Sequence, residues 1–89
     1  METNSEVQIV NKYGLHARPA AELVKLANRF RADVWIRKED VEVSGKSIMG
    51  VMMLAAECGS MVEIRARGDD AAEAVDALVK LIQNRFGED

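Results

Sequence analysis

Apolar residues recur along this chain with two different periods, and the two periods divide it into strands and helices. Alternation of apolar and polar residues, typical of a strand buried on one face, occurs in Glu6–Val10 and Met61–Arg67. The segments Asp33–Arg37 and Val41–Val43 are rich in β-favouring residues, and the residues between them, Lys38–Asp40, are polar. These two segments predict a hairpin, which brings the number of predicted strands to four.

Apolar residues at helical spacing predict a helix from Ala17 to Arg29 and a shorter one from Ile48 to Leu54. Ser47 precedes the shorter helix and is a favourable N-cap residue. The stripe of the longer helix, which faces the predicted core, consists of Ala20, Leu23, Val24, Ala27 and Phe30.

The last helical stripe is the clearest, and it predicts a helix that follows Asp70 and stops at Gly87. Asp70 and Glu73 have the N-cap to N3 spacing of a capping box. The element order is then β-α-β-β-α-β-α, which predicts a two-layer α+β sandwich with one sheet face exposed. The stripe consists of Ala71, Ala74, Val75, Leu78, Val79, Ile82 and Phe86.

Composition narrows the class of protein. The 89 residues form a single domain, 1–89, and 48% apolar with 30% charged residues is ordinary for a globular chain. The formal net charge is −3, and there is neither a basic run nor an aromatic stacking platform, so we expect no nucleic-acid partner. Neither a signal peptide nor a long apolar run is evident, so we expect no membrane insertion.

The single cysteine, Cys58, cannot form an intramolecular disulfide, which indicates a reducing, cytoplasmic setting. We expect it to be a small buried filler. One cysteine and one histidine cannot build a structural zinc site, and no cofactor motif is present, so neither a metal nor a cofactor is expected.

The segment Lys12–Pro19 contains the chain's only histidine and only proline. Gly14 permits a sharp turn, and Pro19 suits the first turn of a helix, so either His16 or Arg18 opens that helix. Free N–H groups at a helix start attract anions, phosphate in particular. A lone histidine is more often a solvated cap or a packing residue, but these neighbours suit one that carries a phosphoryl group.

Two motifs, Gly14–Ala20 and Gly45–Gly50, resemble those of the HPr family of phosphocarriers in the bacterial phosphoenolpyruvate-dependent phosphotransferase system. The element order agrees with that family from about Val7 to Phe86. The resemblance implies an open-faced sandwich, with an antiparallel sheet of order 1-4-2-3 and the helices on one face. It also implies a phosphoryl carrier rather than an enzyme.

By the same resemblance, His16 accepts a phosphoryl group on Nδ1 from Enzyme I and passes it to an Enzyme IIA. Backbone N–H groups near Ala17 and Arg18, with the Arg18 side chain, would stabilise the added charge. In many members the serine that matches Ser47 is phosphorylated by the HPr kinase/phosphorylase. A cap and nothing more is the plainer interpretation of Ser47.

The methionine-rich helix also has two interpretations. Such a stripe is more often core, but exposed methionine suits surfaces that meet several partners. The resemblance favours the second, because it places this helix beside His16 as a docking surface for Enzyme I and Enzyme IIA. The predicted docking residues are Leu15, Ile48, Met49 and Met52.

Alternatives remain at the level of function. Asn11-Lys12 and the acidic tail Phe86–Asp89 resemble the nitrogen-branch carrier, whereas Lys46–Gly50 favours a protein that the serine kinase recognises. A rival from another class is a regulatory binding module that acts through Ser47 alone. A small metabolic enzyme has little support, since no paired carboxylates accompany the histidine and the chain is short for a deep pocket. We expect a monomer.

Overall fold

A computed structural model of the chain describes residues 1–88. Its strands are β1 (Glu2–Gln8), β2 (Asp33–Lys38), β3 (Val41–Ser44) and β4 (Met61–Arg67), which form one antiparallel sheet. The strand order is β1-β4-β2-β3, so the predicted topology is confirmed.

The sheet register sets which side chains enter the core. In β4, buried and more exposed residues alternate, because successive side chains point to opposite faces. Val62 lies opposite Val7 of β1, and Ile64 lies opposite Ile36 of β2. All four of these residues are at most 5% exposed, and together they form the inner face of the sheet.

Three helices cover that inner face: α1 (Ala17–Ala27), α2 (Ile48–Met53) and α3 (Ala71–Gln83). The helix α3 contacts β1, β4 and β2, and its residues Leu78 and Ile82 are fully buried. The helix α1 contacts α2 and α3, so it closes the helical layer. None of the helices among residues 1–88 has the length and apolar character needed to cross a bilayer.

Several predicted boundaries are wrong by a few residues. The strand β1 begins at Glu2 rather than Glu6, because residues 2–5 also pair with β4, and it ends at Gln8 rather than Val10. The helix α1 ends at Ala27 rather than Arg29, where Asn28 forms the C-cap.

The predicted capping box at the start of α3 is also wrong, since Asp70 makes no side-chain cap hydrogen bond. Its carboxylate instead accepts hydrogen bonds from the backbone N–H groups of Arg31, at 2.9 Å, and Ala32, at 2.8 Å. These amide donors, Arg31 first, hold the pKa of the Asp70 carboxyl below its ordinary value. Asp70 therefore joins the start of α3 to the turn that precedes β2.

The end of α3 differs from the prediction in its backbone. The helix stops at Gln83, and Phe86 lies in a separate short 3-10 turn, Arg85–Gly87. Arg85 and Phe86 have φ values of 58° and 55°, yet Phe86 is only 2% exposed and packs in the core. Buried Phe86 thereby anchors the turn from which Glu88 extends. Cys58 was expected to be buried, but it lies on the surface in the loop before β4.

Candidate functional site

His16 is the N-cap residue of α1, with an extended backbone at φ −74° and ψ −174°. Two residues, His16 and Arg18, could open the helix, and in the structure it is His16 that does so. Pro19 lies in the first turn, as predicted, and is buried. The imidazole makes no capping hydrogen bond, and 40% of its side chain is exposed. A reactant can therefore reach the ring.

The loop before His16 is held by a set of backbone and side-chain hydrogen bonds. Gly14 has φ +69°, its N–H donates to the Asn11 carbonyl at 3.2 Å, and its own carbonyl accepts from Asn11 Nδ2 at 2.7 Å. The N–H of Leu15 donates to the Ala56 carbonyl at 2.9 Å. Asn11 is fully buried, so the turn before His16 is tied to the interior of the protein.

Two backbone donors directly follow His16 in the chain. The first hydrogen bond of α1 runs from the Ala20 N–H to the His16 carbonyl, at 3.0 Å. Ala17 and Arg18 precede it, and within residues 1–88 neither of their N–H groups donates to a backbone acceptor. Both belong to the positive end of the α1 dipole, which makes this helix start suitable for an anion.

Glu88 also belongs to this site, although no local motif predicts it there. Its Oε2 accepts a hydrogen bond from Arg18 Nη2, at 2.7 Å, and lies within hydrogen-bond distance of His16 Nε2, at 3.1 Å. Its Oε1 accepts from Asn11 Nδ2 at 3.1 Å, and only 14% of the Glu88 side chain is exposed. Burial by itself would raise the pKa of the Glu88 carboxyl, but its contacts with Asn11, Arg18 and His16 outweigh it and lower that pKa.

Tyr13 also contacts the His16 ring, and Glu22 also contacts the Arg18 side chain. Tyr13 is 69% exposed, and its ring meets the His16 ring edge-on with centroids 6.0 Å apart. Arg18 Nη1 donates to Glu22 Oε1 at 3.3 Å, one turn along α1, so the guanidinium lies between two carboxylates. Among residues 1–88 there is no group of His, Cys, Asp or Glu side chains that could hold a metal ion.

The second predicted motif lies at the start of α2. The Gly50 N–H donates to Ser47 Oγ at 3.1 Å, so the predicted cap is confirmed. Lys46 Nζ donates to the Phe30 carbonyl at 2.8 Å, which ties this motif to the segment that follows α1. Ser47 is therefore placed by contacts on both sides of the α2 start.

The methionines of α2 are exposed, so the interpretation of this stripe as core is wrong. Ile48, Met49 and Met52 are 45%, 73% and 41% exposed, and Val51 is the buried residue of the helix. Leu15, in contrast, is 4% exposed and belongs to the core cluster. The exposed apolar surface of α2 is consequently formed by Ile48, Met49, Met52 and Met53.

Comparison with known proteins gives consistent results. Residues 3–84 match the family model described as "PTS HPr component phosphorylation site". The phosphocarrier protein HPr of Cupriavidus necator is 52% identical over 83 residues, which cover 93% of each chain. That of Neisseria meningitidis serogroup A is 49% identical over 82 residues, 92% of each chain.

Solved structures agree with these relatives. The crystal structure of HPr-C-His from Thermoanaerobacter tengcongensis superposes with a TM-score of 0.95 at 46% identity and covers 98% of each chain. Sequence, topology and family model therefore converge. The chain belongs to the HPr family of phosphocarrier proteins of the phosphotransferase system.

Proposed function

We propose that His16 is the residue on which this phosphocarrier holds the phosphoryl group, taken from phosphorylated Enzyme I and delivered to an Enzyme IIA. The observation that carries this assignment is the position of His16 as the exposed N-cap of α1. Beside it lie the N–H groups of Ala17 and Arg18 and the Arg18 guanidinium. No other histidine exists in the chain.

The chemistry follows from these neighbours. A neutral imidazole nitrogen, Nδ1 in this proposal, attacks the phosphorus while the bond to the donor breaks. The two free amides and the helix dipole stabilise the charge of the incoming group. Because these are partial charges rather than a metal clamp, the phosphoryl group is held weakly enough to move on to an acceptor.

Ser47 is proposed as the regulatory phosphorylation site, with the HPr kinase/phosphorylase as the kinase. This proposal is supported by the position of Ser47 at the start of α2, next to exposed Ile48 and Met49. A phosphate at a helix N-terminus is electrostatically favourable, so phosphorylation should leave the fold intact and act on partner docking.

The exposed residues Ile48, Met49 and Met52 are proposed as the docking surface for Enzyme I and Enzyme IIA. Flexible methionine side chains can pack against differently shaped partners, which suits a carrier with both a donor and an acceptor. Leu15 is buried, so it is not part of the proposed docking surface.

The test is transfer of label from phosphoenolpyruvate through Enzyme I. The protein should gain one acid-labile phosphate per chain, and His16→Ala should gain none. Because His16 makes no capping hydrogen bond and 40% of its side chain is exposed, this variant should still fold, which its unfolding transition checks. Labelling of a folded His16→Ala protein would refute the assignment.

A regulatory module that acts through Ser47 alone is the second candidate, favoured by the exposed surface beside that serine. Serine phosphate in cells, with His16 never labelled, would support it. The rate of transfer to different Enzyme IIA proteins would separate the sugar branch from the nitrogen branch. We propose that the carrier acts in the cytoplasm as a monomer.

A further inference from the structure

The Glu88 carboxylate lies within hydrogen-bond distance of His16, the proposed phosphoryl acceptor, although the two residues are 72 positions apart in the sequence. We infer that Glu88 is a positioning residue that holds the His16 proton on Nε2 and so leaves the Nδ1 lone pair free for attack. The part of this inference that concerns attack rests on the proposed function. The part that concerns the proton is a property of the unphosphorylated protein.

The chemistry of the contact gives the direction of the hydrogen bond. An ionised carboxylate can only accept, and the pKa of Glu88 is lowered, so its Oε2 is an acceptor near neutral pH. The 3.1 Å contact with His16 Nε2 therefore requires a proton on that nitrogen. In the neutral ring, a proton on Nε2 leaves Nδ1 as the atom with the lone pair.

The carboxylate is held in place independently of the histidine. Arg18 Nη2 donates to the same oxygen at 2.7 Å, and Asn11 Nδ2 donates to the other oxygen at 3.1 Å. Asn11 is fully buried, and Phe86, two residues before Glu88, is 2% exposed. Glu88 is therefore anchored from both sides, as a residue that orients another side chain needs to be.

The transfer step balances with Glu88 in this role. The Nδ1 lone pair forms the new P–N bond as the donor takes back the electron pair of its own bond to phosphorus. The ring keeps its Nε2 proton and becomes cationic, and the adjacent carboxylate stabilises this charge. Delivery to the acceptor reverses the sequence, so the Nε2 proton need not leave at any step.

The first test measures the proton position directly, by nitrogen-15 NMR of the unphosphorylated protein at a pH where the imidazole is neutral. We expect Nε2 to be protonated and Nδ1 unprotonated in the original protein. In Glu88→Ala the tautomer ratio should move toward that of a free histidine side chain. Glu22→Ala is the control, because Glu22 pairs with Arg18 but not with His16.

A tautomer ratio that is the same in Glu88→Ala and the original protein would overturn the inference. So would a change of equal size in Glu22→Ala, because the effect would then pass through Arg18 alone. Both variants should still unfold in one cooperative transition well above the temperature of the NMR measurement, which excludes loss of the fold as the cause.

The second test is single-turnover uptake of phosphate from phosphorylated Enzyme I. We expect Glu88→Ala to accept the group about five- to tenfold more slowly, because both the tautomer and the charge partner are lost. An equal or faster rate would show that the carboxylate only competes for Arg18 and would refute the inference. If the original protein accepted no phosphate, the proposed function would fail, while the NMR result would still decide the proton position.

Discussion

A Cβ atom added at Gly14 would lie 2.4 Å from the carbonyl oxygen of Ala56, closer than any side chain can approach. The same carbonyl accepts the hydrogen bond from the Leu15 N–H. The loop that presents His16 is therefore in direct backbone contact with the segment between α2 and β4. This contact and the start of α1 together position His16.

Gly14→Ala should destabilise the protein by about 2–4 kcal/mol, since the left-handed backbone and the clash with Ala56 act together. Gly59→Ala is the matched control, because Gly59 also has positive φ but open space around its Cα. That variant should lose only about 1–2 kcal/mol. Urea unfolding measures both, and equal losses would show that the contact with Ala56 is unimportant.

Ser47→Ala should cost about 1 kcal/mol, because the Gly50 N–H at the start of α2 loses its acceptor. Ser47→Asp supplies a carboxylate acceptor and should restore most of the loss. Denaturant unfolding gives the stabilities, and amide hydrogen exchange at Gly50 locates the effect. Similar exchange in both variants would mean that the cap contributes little.

Asp70→Asn should change how stability depends on pH. The folded-state pKa of Asp70 is lowered, so its carboxylate stabilises the fold above the ordinary aspartate pKa of about 3.9. This contribution is lost as the pH falls through the folded-state value. The unfolding temperatures of the original protein and Asp70→Asn should thus differ at pH 7 and converge in strong acid.

The control for this experiment is Asp76→Asn, which removes an exposed pair with Lys80 at 3.0 Å and should have little effect at any pH. A difference between Asp70→Asn and the original protein that persists unchanged in strong acid would contradict the role given to the Asp70 carboxylate.

Replacing Met49 and Met52 together with serine should slow both uptake and delivery of phosphate by about tenfold, as expected for loss of apolar contacts at a docking surface. Met61→Ser is the control, because Met61 is 51% exposed but lies on β4, in the sheet. Rates are measured with phosphorylated Enzyme I and with an Enzyme IIA. If the double variant matched Met61→Ser in both reactions, α2 would not be the docking surface.

The strands show which parts of the fold a sequence pattern can predict. The bounds of β4 were predicted correctly because its alternation is unbroken from Met61 to Arg67. The first half of β1 was missed, since Thr3, Asn4 and Ser5 carry no apolar alternation. Those residues are strand because they pair with β4, which is distant in the sequence.

The candidate site likewise contains residues that a local motif predicts and residues that only the fold brings together. His16, Ala17 and Arg18 are consecutive, so a local motif was enough to bring them together. Glu88 meets them after a turn in which Arg85 and Phe86 adopt positive φ, which non-glycine residues seldom do. The acidic character of this segment is evident in the sequence, but no local rule places Glu88 beside His16. Asp70 was misassigned for the same reason, since its partners belong to another turn.

The strand order has a consequence for the time course of folding. The hairpin β2-β3 closes through a short turn, whereas β1 pairs with β4 across most of the chain, Glu2 opposite Arg67. Such distant segments meet late, because closing a long loop costs more entropy than closing a short one. Ile9 extends the β1-β4 pairing, as its N–H donates to the Ser60 carbonyl at 2.8 Å and its carbonyl accepts from the Gly59 N–H at 2.7 Å.

The loop that carries His16 follows directly from Ile9, so it takes its final shape only after this late pairing. A nascent chain still lacking β4 therefore already contains the histidine, its arginine and the helix sequence, but not the geometry that relates them. We expect competence for phosphoryl transfer to arise in the last phase of folding, together with the closing of the sheet.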